Sequence, residues 1–248
     1  MYSSLLEYYD ELFPVEKSRL DFIESIAAEY KKEKGLTNPV KILDLGCATG
    51  MTSIQLMRRG MDLVGIDNND QMIQSASRRN PEPKTNARFF LMDMTKIDTY
   101  FPKNSFDIVL CLGNTLVHLD GLEQIEQQIK SIHSVLKSGG VFIFQIINYD
   151  MVLKEHMVSL PVIETTRSSF VRKYSSTEDG YIQFDASVLS ANGQTVFSSS
   201  VDLFPLSSKD LSGALNSSGF KNETYYSDFE KNPLTNSSLA IVGTSVKA

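Results

Sequence analysis

The residues whose types and spacing most clearly point to chemistry lie in Asp44–Gly50, with the sequence DLGCATG. The pattern predicts a buried strand over Val40–Leu45 and a helix over Met51–Arg59, so this turn of small residues stands at a helix N-terminus. Backbone N–H groups in such a place can hold an anionic or strongly polar ligand group without side chains. Gly46 and Gly50 lack a Cβ, which lets a ligand approach the main chain. We therefore expect a ligand-binding loop; the alternative is an ordinary glycine-containing turn.

A second acidic residue, Asp67, ends the predicted strand Leu63–Ile66, 23 residues after Asp44. A carboxylate at such a strand end can accept hydrogen bonds from both hydroxyls of a ribose. A helix begins soon after it, at 68–71, so Asp67 could instead serve as an N-cap, and the two roles are compatible. The glycines do not follow the G-x-G-x-x-G spacing of dinucleotide-binding loops. The two acidic residues and the loop together predict a nucleoside-type ligand.

Strands and helices alternate from Val40 onward and would position these residues. The predicted strands are 41–45, 63–66, 88–92, 106–112 and 141–147; the predicted helices are 17–34, 51–59, 71–79 and a long one carrying Leu122, Ile125, Ile129, Ile132 and Leu136, which residues 137–140 stop. Continuous apolar runs such as Ile108–Leu110 indicate strands that are buried on both faces. The pattern predicts an α/β fold with a doubly wound, mostly parallel sheet and a ligand crevice at the strand C-termini.

The period changes after Asp150. Short alternating segments at 169–174, 181–189 and 195–204 are separated by hairpin-type turns, which indicates an inserted antiparallel β unit serving as a lid or as a homo-oligomer contact. A helix around Leu211 and Leu215 and two strands near 224–228 and 239–246 would complete a seven-stranded sheet. The expected divisions are 1–39 (N-terminal helical arm), 40–150 (ligand-binding core), 151–205 (inserted unit) and 206–248 (completion of the core sheet). The aromatic arm around Tyr8 and Tyr9 either packs passively or folds over a ligand.

Composition limits the functional classes. The chain has 248 residues and a formal net charge of −6, with its basic residues scattered, so the electrostatic footprint of a nucleic-acid-binding protein is absent. No apolar run approaches the roughly 18 residues that span a bilayer, and the acidic N-terminus is unlike a signal peptide. Two cysteines are too few for a disulfide framework, and the three histidines form no metal-ligand cluster. The expectation is a cytoplasmic protein with no metal, no nucleic-acid partner and no membrane partner.

The stretch Asp44–Gly50 resembles the D-x-G-x-G-x-G loop of class I S-adenosylmethionine-dependent methyltransferases, with Ala48 in place of the middle glycine. The order of motifs extends this resemblance over about 40–246. The segments Lys17–Arg19, Cys111–Leu119 and Asn148–Asp150 are similar to the corresponding stretches of glycine N-methyltransferases and their bacterial relatives. The resemblance implies S-adenosyl-L-methionine as the cofactor.

The resemblance also implies which residues bind this cofactor. Arg19 matches a residue that pairs with the methionine carboxylate, Asp67 matches the ribose ligand, and Asp93 reaches the adenine amino group while Met94 packs on the ring. Without the resemblance, Arg19 would be read as a solvated helix charge. The full cofactor-binding set is Tyr9, Arg19, Asp44, Gly46, Cys47, Ala48, Gly50, Asp67, Asn68, Met72, Asp93, Met94, Leu112 and His118.

For the methyl-transfer site, the resemblance implies Asn114, His118 and Tyr149 as the residues that orient the acceptor; His118 could equally be a structural hydrogen-bonding residue. One departure concerns the acceptor. Glycine-methylating members have an arginine that binds the substrate carboxylate just before Asn148, and this chain has Ile147, which offers no donor. Arg167, Arg172 or Lys173 of the inserted unit could replace it.

Three functions remain at this point. The first is a methyltransferase acting on a small-molecule acceptor, with an amine nitrogen preferred to an oxygen. The second is a non-catalytic protein of the same fold that binds the cofactor, which Ile147 and Ala48 keep open. The third is a nicotinamide-dependent oxidoreductase, which the glycine spacing disfavours.

Overall fold

A computed structural model of the chain describes residues 5–80 and 87–248. Residues 1–4 of the predicted arm and 81–86 of the predicted core lie outside the described residues. The helices are α1 Tyr9–Leu12, α2 Lys17–Glu33, α3 Met51–Arg58, α4 Asp70–Arg79, α5 Ile97–Tyr100, α6 Gly121–Val135, α7 Tyr149–Lys154 and α8 Ser208–Ser217, with short 3₁₀ helices at Met94–Lys96 and Thr115–His118. The strands are β1 Lys41–Leu45, β2 Asp62–Asp67, β3 Ala87–Leu91, β4 Phe106–Cys111, β5 Leu136–Ile147, β6 Ser159–Glu164, β7 Ser168–Ser176, β8 Ile182–Ser190, β9 Thr195–Leu203, β10 Phe220–Tyr226 and β11 Ala240–Lys247.

The core is a seven-stranded sheet in the order β10-β11-β5-β4-β1-β2-β3. Strands β3, β2, β1, β4 and β5 are parallel, while β11 runs antiparallel to β5 and β10 antiparallel to β11. The carboxyl ends of the parallel strands therefore meet at one edge, where the predicted ligand loop lies. The doubly wound, mostly parallel seven-stranded fold is confirmed.

The central strands of this sheet are buried on both faces, as the apolar runs predicted. In β1, Leu43 and Leu45 belong to one hydrophobic cluster, while Ile42 belongs to another on the opposite face. All six residues of β4 are buried. A strand covered on both faces is mostly apolar, which explains runs such as Ile108–Leu110; Asp107 is the buried exception in β4.

The inserted antiparallel unit is a four-stranded sheet in the order β6-β7-β8-β9. The hairpins β7–β8 and β8–β9 match the predicted strands to within two residues at each end. Edge strand β6 carries Pro161 and pairs irregularly with β7, and the sequence analysis did not predict it as a strand. Among the described helices, none combines the length and apolar composition of a segment that crosses a bilayer.

The boundary between α6 and β5 differs from the prediction. Leu136 fits the helical period, yet α6 ends at Val135, and Leu136 pairs in parallel with Phe106 of β4. The register then shifts, so that Val141 pairs with Ile108 and the residues between them bulge outward. The predicted stop at 137–140 is therefore an interruption within β5. Helix α7 follows β5 at a place where the sequence predicted only a change in the hydrophobic period and no helix.

Substitution of Gly243 in β11 would test how tightly this sheet is packed. It pairs with Phe144, whose fully buried ring occupies the space that a Cβ on Gly243 would need. We expect Gly243→Ala to lower the free energy of unfolding by about 1–3 kcal/mol through overpacking. The measurement is chemical denaturation of the purified protein.

Gly213 provides the matched control. It is exposed in α8, and an added Cβ would meet no atom within 4 Å. Gly213→Ala should raise the stability by about 0.5–1 kcal/mol because alanine favours a helix. Equal effects of the two substitutions would contradict this account of the packing.

Candidate active site

The loop after β1 has a backbone shape that few residues adopt. Gly46, Ala48 and Gly50 have φ values of +71°, +48° and +73°. The amides of Gly46 and Cys47 both donate to the Ile66 carbonyl of β2 at 2.9 Å. The loop is therefore attached to the neighbouring strand, and Ala48, the departure from the glycine motif, tolerates a left-handed conformation that is unusual for a residue with a Cβ.

The Asp67 carboxylate fixes this shape. Its Oδ2 accepts from the Ala48 amide and its Oδ1 from the Asn69 amide, each at 2.9 Å. Burial raises the pKa of Asp67, and hydrogen bonds from the amides of Asn69 and Ala48 oppose that shift. Each carboxylate oxygen can accept a second hydrogen bond, so ligand hydroxyls can still bind there.

Two loop glycines are needed for a reason that the sequence did not indicate. A Cβ on Gly46 would lie 2.7 Å from the Thr115 side chain, and one on Gly50 would lie 2.8 Å from Ala76 and Phe89. Neighbouring protein atoms therefore occupy the space that a Cβ would need at both glycines. The absence of these Cβ atoms is required by packing within the protein, a reason additional to the predicted approach of a ligand.

Asp44 at the end of β1 is a buried carboxylate. It is 4% exposed, and Ser53 Oγ donates to its Oδ2 at 2.6 Å. Burial raises its pKa to about 6, while Ser53 and the positive charge of Arg19 act in the opposite direction. Its ionised form is therefore stabilised by any cationic group that enters the site.

A cavity of about 90 Å³ lies against the loop. Its lining includes seven of the predicted cofactor-binding residues, namely Tyr9, Arg19, Asp44, Gly46, Cys47, Ala48 and Leu112. The Arg19 guanidinium carbon lies 5.4 Å from the centre of the Phe229 ring, and Arg19 Nε is buried without a hydrogen-bond partner among the described residues. A buried guanidinium donor without a partner fits a carboxylate ligand. The cavity has the size of a small charged group, such as the amino-acid end of a larger ligand.

The N-terminal arm covers this cavity. Thr49 Oγ1 of the loop donates to Asp10 Oδ1 of α1 at 2.6 Å, and Arg79 of α4 pairs with the other oxygen of Asp10. Tyr9, Asp10 and Phe13 line the cavity with the loop residues. The arm therefore folds over the site.

The same arm contacts the inserted sheet. Arg167 pairs with Glu11 at 2.6 Å and with Glu7 at 3.5 Å, and the Phe13 ring meets the Phe170 ring of β7 edge-on at 5.4 Å. Exposed ion pairs of this kind contribute little stability individually. Together with the ring contact, they join the arm to the inserted sheet.

The remaining predicted cofactor residues lie outside the cavity. Asn68 and Asp93 are exposed, Asp93 accepts from the Thr95 amide, and Met94 is partly buried. Met72 is 1% exposed within α4 and packs in the interior. The amide of Met92 donates to the Asp67 carbonyl, so the ends of β2 and β3 are adjacent. The structure thus brings Asp67 close to the Asp93 segment on an open surface.

The loop after β4 joins the cavity to the predicted acceptor residues. Leu112, Gly113 and Thr115 line the cavity, and Asn114 stands between them with a φ of +68°. Asn114 Oδ1 accepts from the Ile147 amide at 2.9 Å. Its Nδ2 donates to the Tyr149 hydroxyl at 3.0 Å. Asn114 therefore ties the ends of β4 and β5 together beside the cavity.

His118 ends the 3₁₀ helix that follows Asn114. Its side chain reaches solvent, but the surrounding elements desolvate the imidazole and lower its pKa. The ring is therefore neutral near pH 7 and offers both a hydrogen-bond donor and an acceptor. Among the described residues, no group of three or more His, Cys, Asp or Glu side chains could hold a metal ion.

Sequence reasoning missed Asp10, Thr49 and Thr115 as parts of this site. Thr49 and Thr115 lie within the two recognised loops, so their position could have been proposed. No sequence pattern indicated Asp10, because only the long-range contact between the arm and the loop places it in the cavity wall.

Comparisons with known proteins agree with this geometry. Residues 42–140 match a family described as a methyltransferase domain. The chain is 27% identical over 196 residues to the glycine/sarcosine N-methyltransferase of Aphanothece halophytica, a match that covers 77% of this chain and 70% of that protein. It is 30% identical to the glycine N-methyltransferase of Mus musculus, but over only 46% of this chain and 42% of that protein.

Among solved structures, an S-adenosylmethionine-dependent methyltransferase from Clostridium acetobutylicum has the same fold, with a TM-score of 0.80. The sequence identity is 18%, and the match covers 100% of this chain and 99% of that chain. The inserted sheet is therefore included in the likeness.

We expect Asp67→Ala to weaken S-adenosylhomocysteine binding by about 1–3 kcal/mol, because hydrogen bonds to a charged group are lost. Isothermal titration calorimetry measures the change. Asp70→Ala is the matched control, because Asp70 is an exposed carboxylate three residues further on. Unchanged affinity in Asp67→Ala would show that the ribose site is misplaced.

Asp44 should make S-adenosylmethionine binding depend on pH. The cofactor carries ammonium and sulfonium charges, which favour the ionised carboxylate, and the pKa of Asp44 without ligand is about 6. Affinity should therefore fall as the pH drops below 6, by at most about tenfold per unit for one linked proton. Calorimetry from pH 5 to 8 tests this, and Asp44→Asn should reduce the dependence. A dependence of the same size in both proteins would assign it to another group, such as Asp67.

Proposed function

Because this chain belongs to the class I S-adenosylmethionine-dependent methyltransferases, we propose that it methylates an amine nitrogen of a small-molecule acceptor. The observation that carries the proposal is the loop Leu112–Thr115, which lines the cofactor cavity and also carries Asn114. An acceptor beside Asn114 would lie next to the cofactor end that Arg19 and Asp44 are proposed to hold.

The cofactor is S-adenosylmethionine, which supplies an electrophilic methyl group and leaves as a neutral thioether. The leaving group therefore needs no acid. The task of the protein is to align the acceptor lone pair with the methyl–sulfur bond and to exclude water, and alignment alone can provide effective molarities of about 10⁵ M or more. The arm and the inserted sheet, joined through Arg167 and Phe13, support such exclusion.

In this proposal Arg19 binds the cofactor carboxylate, Asp44 faces its cationic groups and Asp67 binds the ribose. Asn114 and Tyr149 orient the acceptor. Their mutual hydrogen bond supports this assignment, since it fixes the direction in which the phenol and the amide point.

A nitrogen acceptor is supported by two observations. The Aphanothece halophytica relative is an N-methyltransferase. His118, neutral because of its lowered pKa, can accept a hydrogen bond from an amine N–H and so direct the lone pair toward the methyl group. An amine that arrives deprotonated needs no stronger base.

The test is transfer of a labelled methyl group to panels of amines, carboxylic acids and phenols. We expect label on amines, with the amount falling at acidic pH as the amine and His118 become protonated. Label confined to oxygen acceptors would overturn the choice of nitrogen. Cofactor binding without any labelled product would favour a non-catalytic binding protein.

Tyr149→Phe should lower kcat by about fivefold, as expected for the loss of one hydrogen bond of about 1 kcal/mol. Its affinity for S-adenosylhomocysteine should stay within about twofold of the original value, since Tyr149 is assigned to the acceptor. The control is Tyr100→Phe, which changes a tyrosine that is 66% exposed. Equal kcat values for the two variants would remove Tyr149 from the proposed acceptor site.

A further inference from the structure

The inner face of β7 carries a cation. Along this strand Phe170 and Tyr174 are buried, while Lys173 is exposed on the opposite face. Side chains alternate between the two faces of a strand, so Arg172 shares the inner face with Phe170 and Tyr174. An arginine is unusual on this inner face, because the side chains beside it, Phe170 and Tyr174, are aromatic.

The contacts of Arg172 leave its charge uncompensated. Its guanidinium carbon lies 5.5 Å from the centre of the Phe170 ring, and Nη2 donates to the Pro161 carbonyl at 2.5 Å. Arg172 Nε is buried without a partner, and in the part of the chain that the structure describes no carboxylate pairs with this side chain. Burial lowers its pKa, and an electrostatic interaction with Tyr174 opposes that shift. A desolvated cation of this kind is stabilised by a bound anion.

The inner face of the inserted sheet packs near the acceptor region. The Phe204 amide, just after β9, donates to the Val117 carbonyl at 3.0 Å, within the 3₁₀ helix that ends at His118. The Phe170 ring, which Arg172 overlies, contacts Phe13, and Phe13 lines the cofactor cavity. Arg172 is thus two ring contacts away from that cavity.

The other two candidate cations of the inserted unit are accounted for. Arg167 is exposed and paired with Glu7 and Glu11 of the arm. Lys173 is exposed on the outer face. Of these three cations, only Arg172 lies on the inner face of the sheet and has a buried donor that lacks a partner among the described residues.

From these contacts we infer that Arg172 binds an oxyanion group of the methyl acceptor, a carboxylate in the simplest case. The acceptor is then an amine that also carries an acidic group, which the four-stranded sheet holds while the nitrogen faces the cofactor. The planar guanidinium suits this task because its Nε–Nη edge can bind two oxygens at once. This inference rests on the proposed methyl transfer and specifies its substrate class.

The experiment separates acceptors by charge before the assay. A bacterial small-molecule extract is divided on an anion-exchange column at pH 10, where amino acids are anionic, and each fraction is assayed with labelled S-adenosylmethionine. Sarcosine and its neutral amide serve as a defined pair. We expect acceptor activity in the retained fraction.

Variants then assign that activity to the arginine. Arg172→Met should lower kcat/KM for the retained acceptor by about 100-fold, as expected when a charged bidentate contact is lost. Arg172→Lys, which keeps the charge without the fork, should recover part of the loss. Lys173→Met, the neighbour on the outer face, should stay within about twofold. All three should bind S-adenosylhomocysteine like the original protein, which also verifies their folding.

Two results would overturn the inference while leaving methyl transfer intact: acceptor activity confined to the unretained fraction, or an Arg172→Met variant with kcat/KM within about threefold of the original. A protein that binds S-adenosylhomocysteine but labels neither fraction would overturn the proposed function and this inference with it. The two kinds of failure are therefore distinguishable.

Discussion

The Asp67 carboxylate holds the end of β2 against the loop after β1, and the site depends on this contact. Its oxygens accept from the amides of Ala48 and Asn69, which fixes a loop whose residues have left-handed backbone angles. A partly buried carboxylate is stabilised by such backbone donors. In the proposed function, the remaining acceptor positions on the same oxygens would bind the ribose, so one side chain would serve both loop geometry and ribose recognition. Removing that side chain therefore affects both.

Around this centre the chain closes the site with segments that are distant in sequence. The α1 helix reaches the loop through Asp10 and reaches the inserted sheet through Glu11 and Phe13. The loop after β4 brings Asn114 to the end of β5. Each contact contributes little stability on its own. Together they place the arm over both one wall of the cofactor cavity and the proposed acceptor position. In the proposed function, this arrangement would align the acceptor with the cofactor, which is the main requirement of methyl transfer.

Most of the fold could be predicted because it follows from local patterns. Buried parallel strands read as apolar runs, and the loop after β1 combined a carboxylate with small residues at fixed spacing. The start of β5 could not be predicted, because Leu136 fits the helical period and only its pairing with Phe106 assigns it to a strand. Asp10 could not be predicted as a site residue, and Arg172 could be named only as one of three candidate cations, since their environment arises from contacts between distant segments. Sequence could name three cations of the inserted unit, but only burial and pairing distinguish them.

The antiparallel pairing of β11 with β5 has a consequence for how the chain acquires its structure. Ile147 lies opposite Ala240, so the whole inserted sheet and α8 separate two neighbouring strands. Until residues 240–247 have been synthesised and have paired with β5, that strand is an unpaired sheet edge flanked by apolar residues. An exposed edge of this kind can promote aggregation. Bringing the two ends of so long a segment together costs conformational entropy, which slows the pairing of β11 with β5. The ribosome must therefore finish strands β1 to β5, with the loop after β1, well before β11 is available to cover the edge of β5.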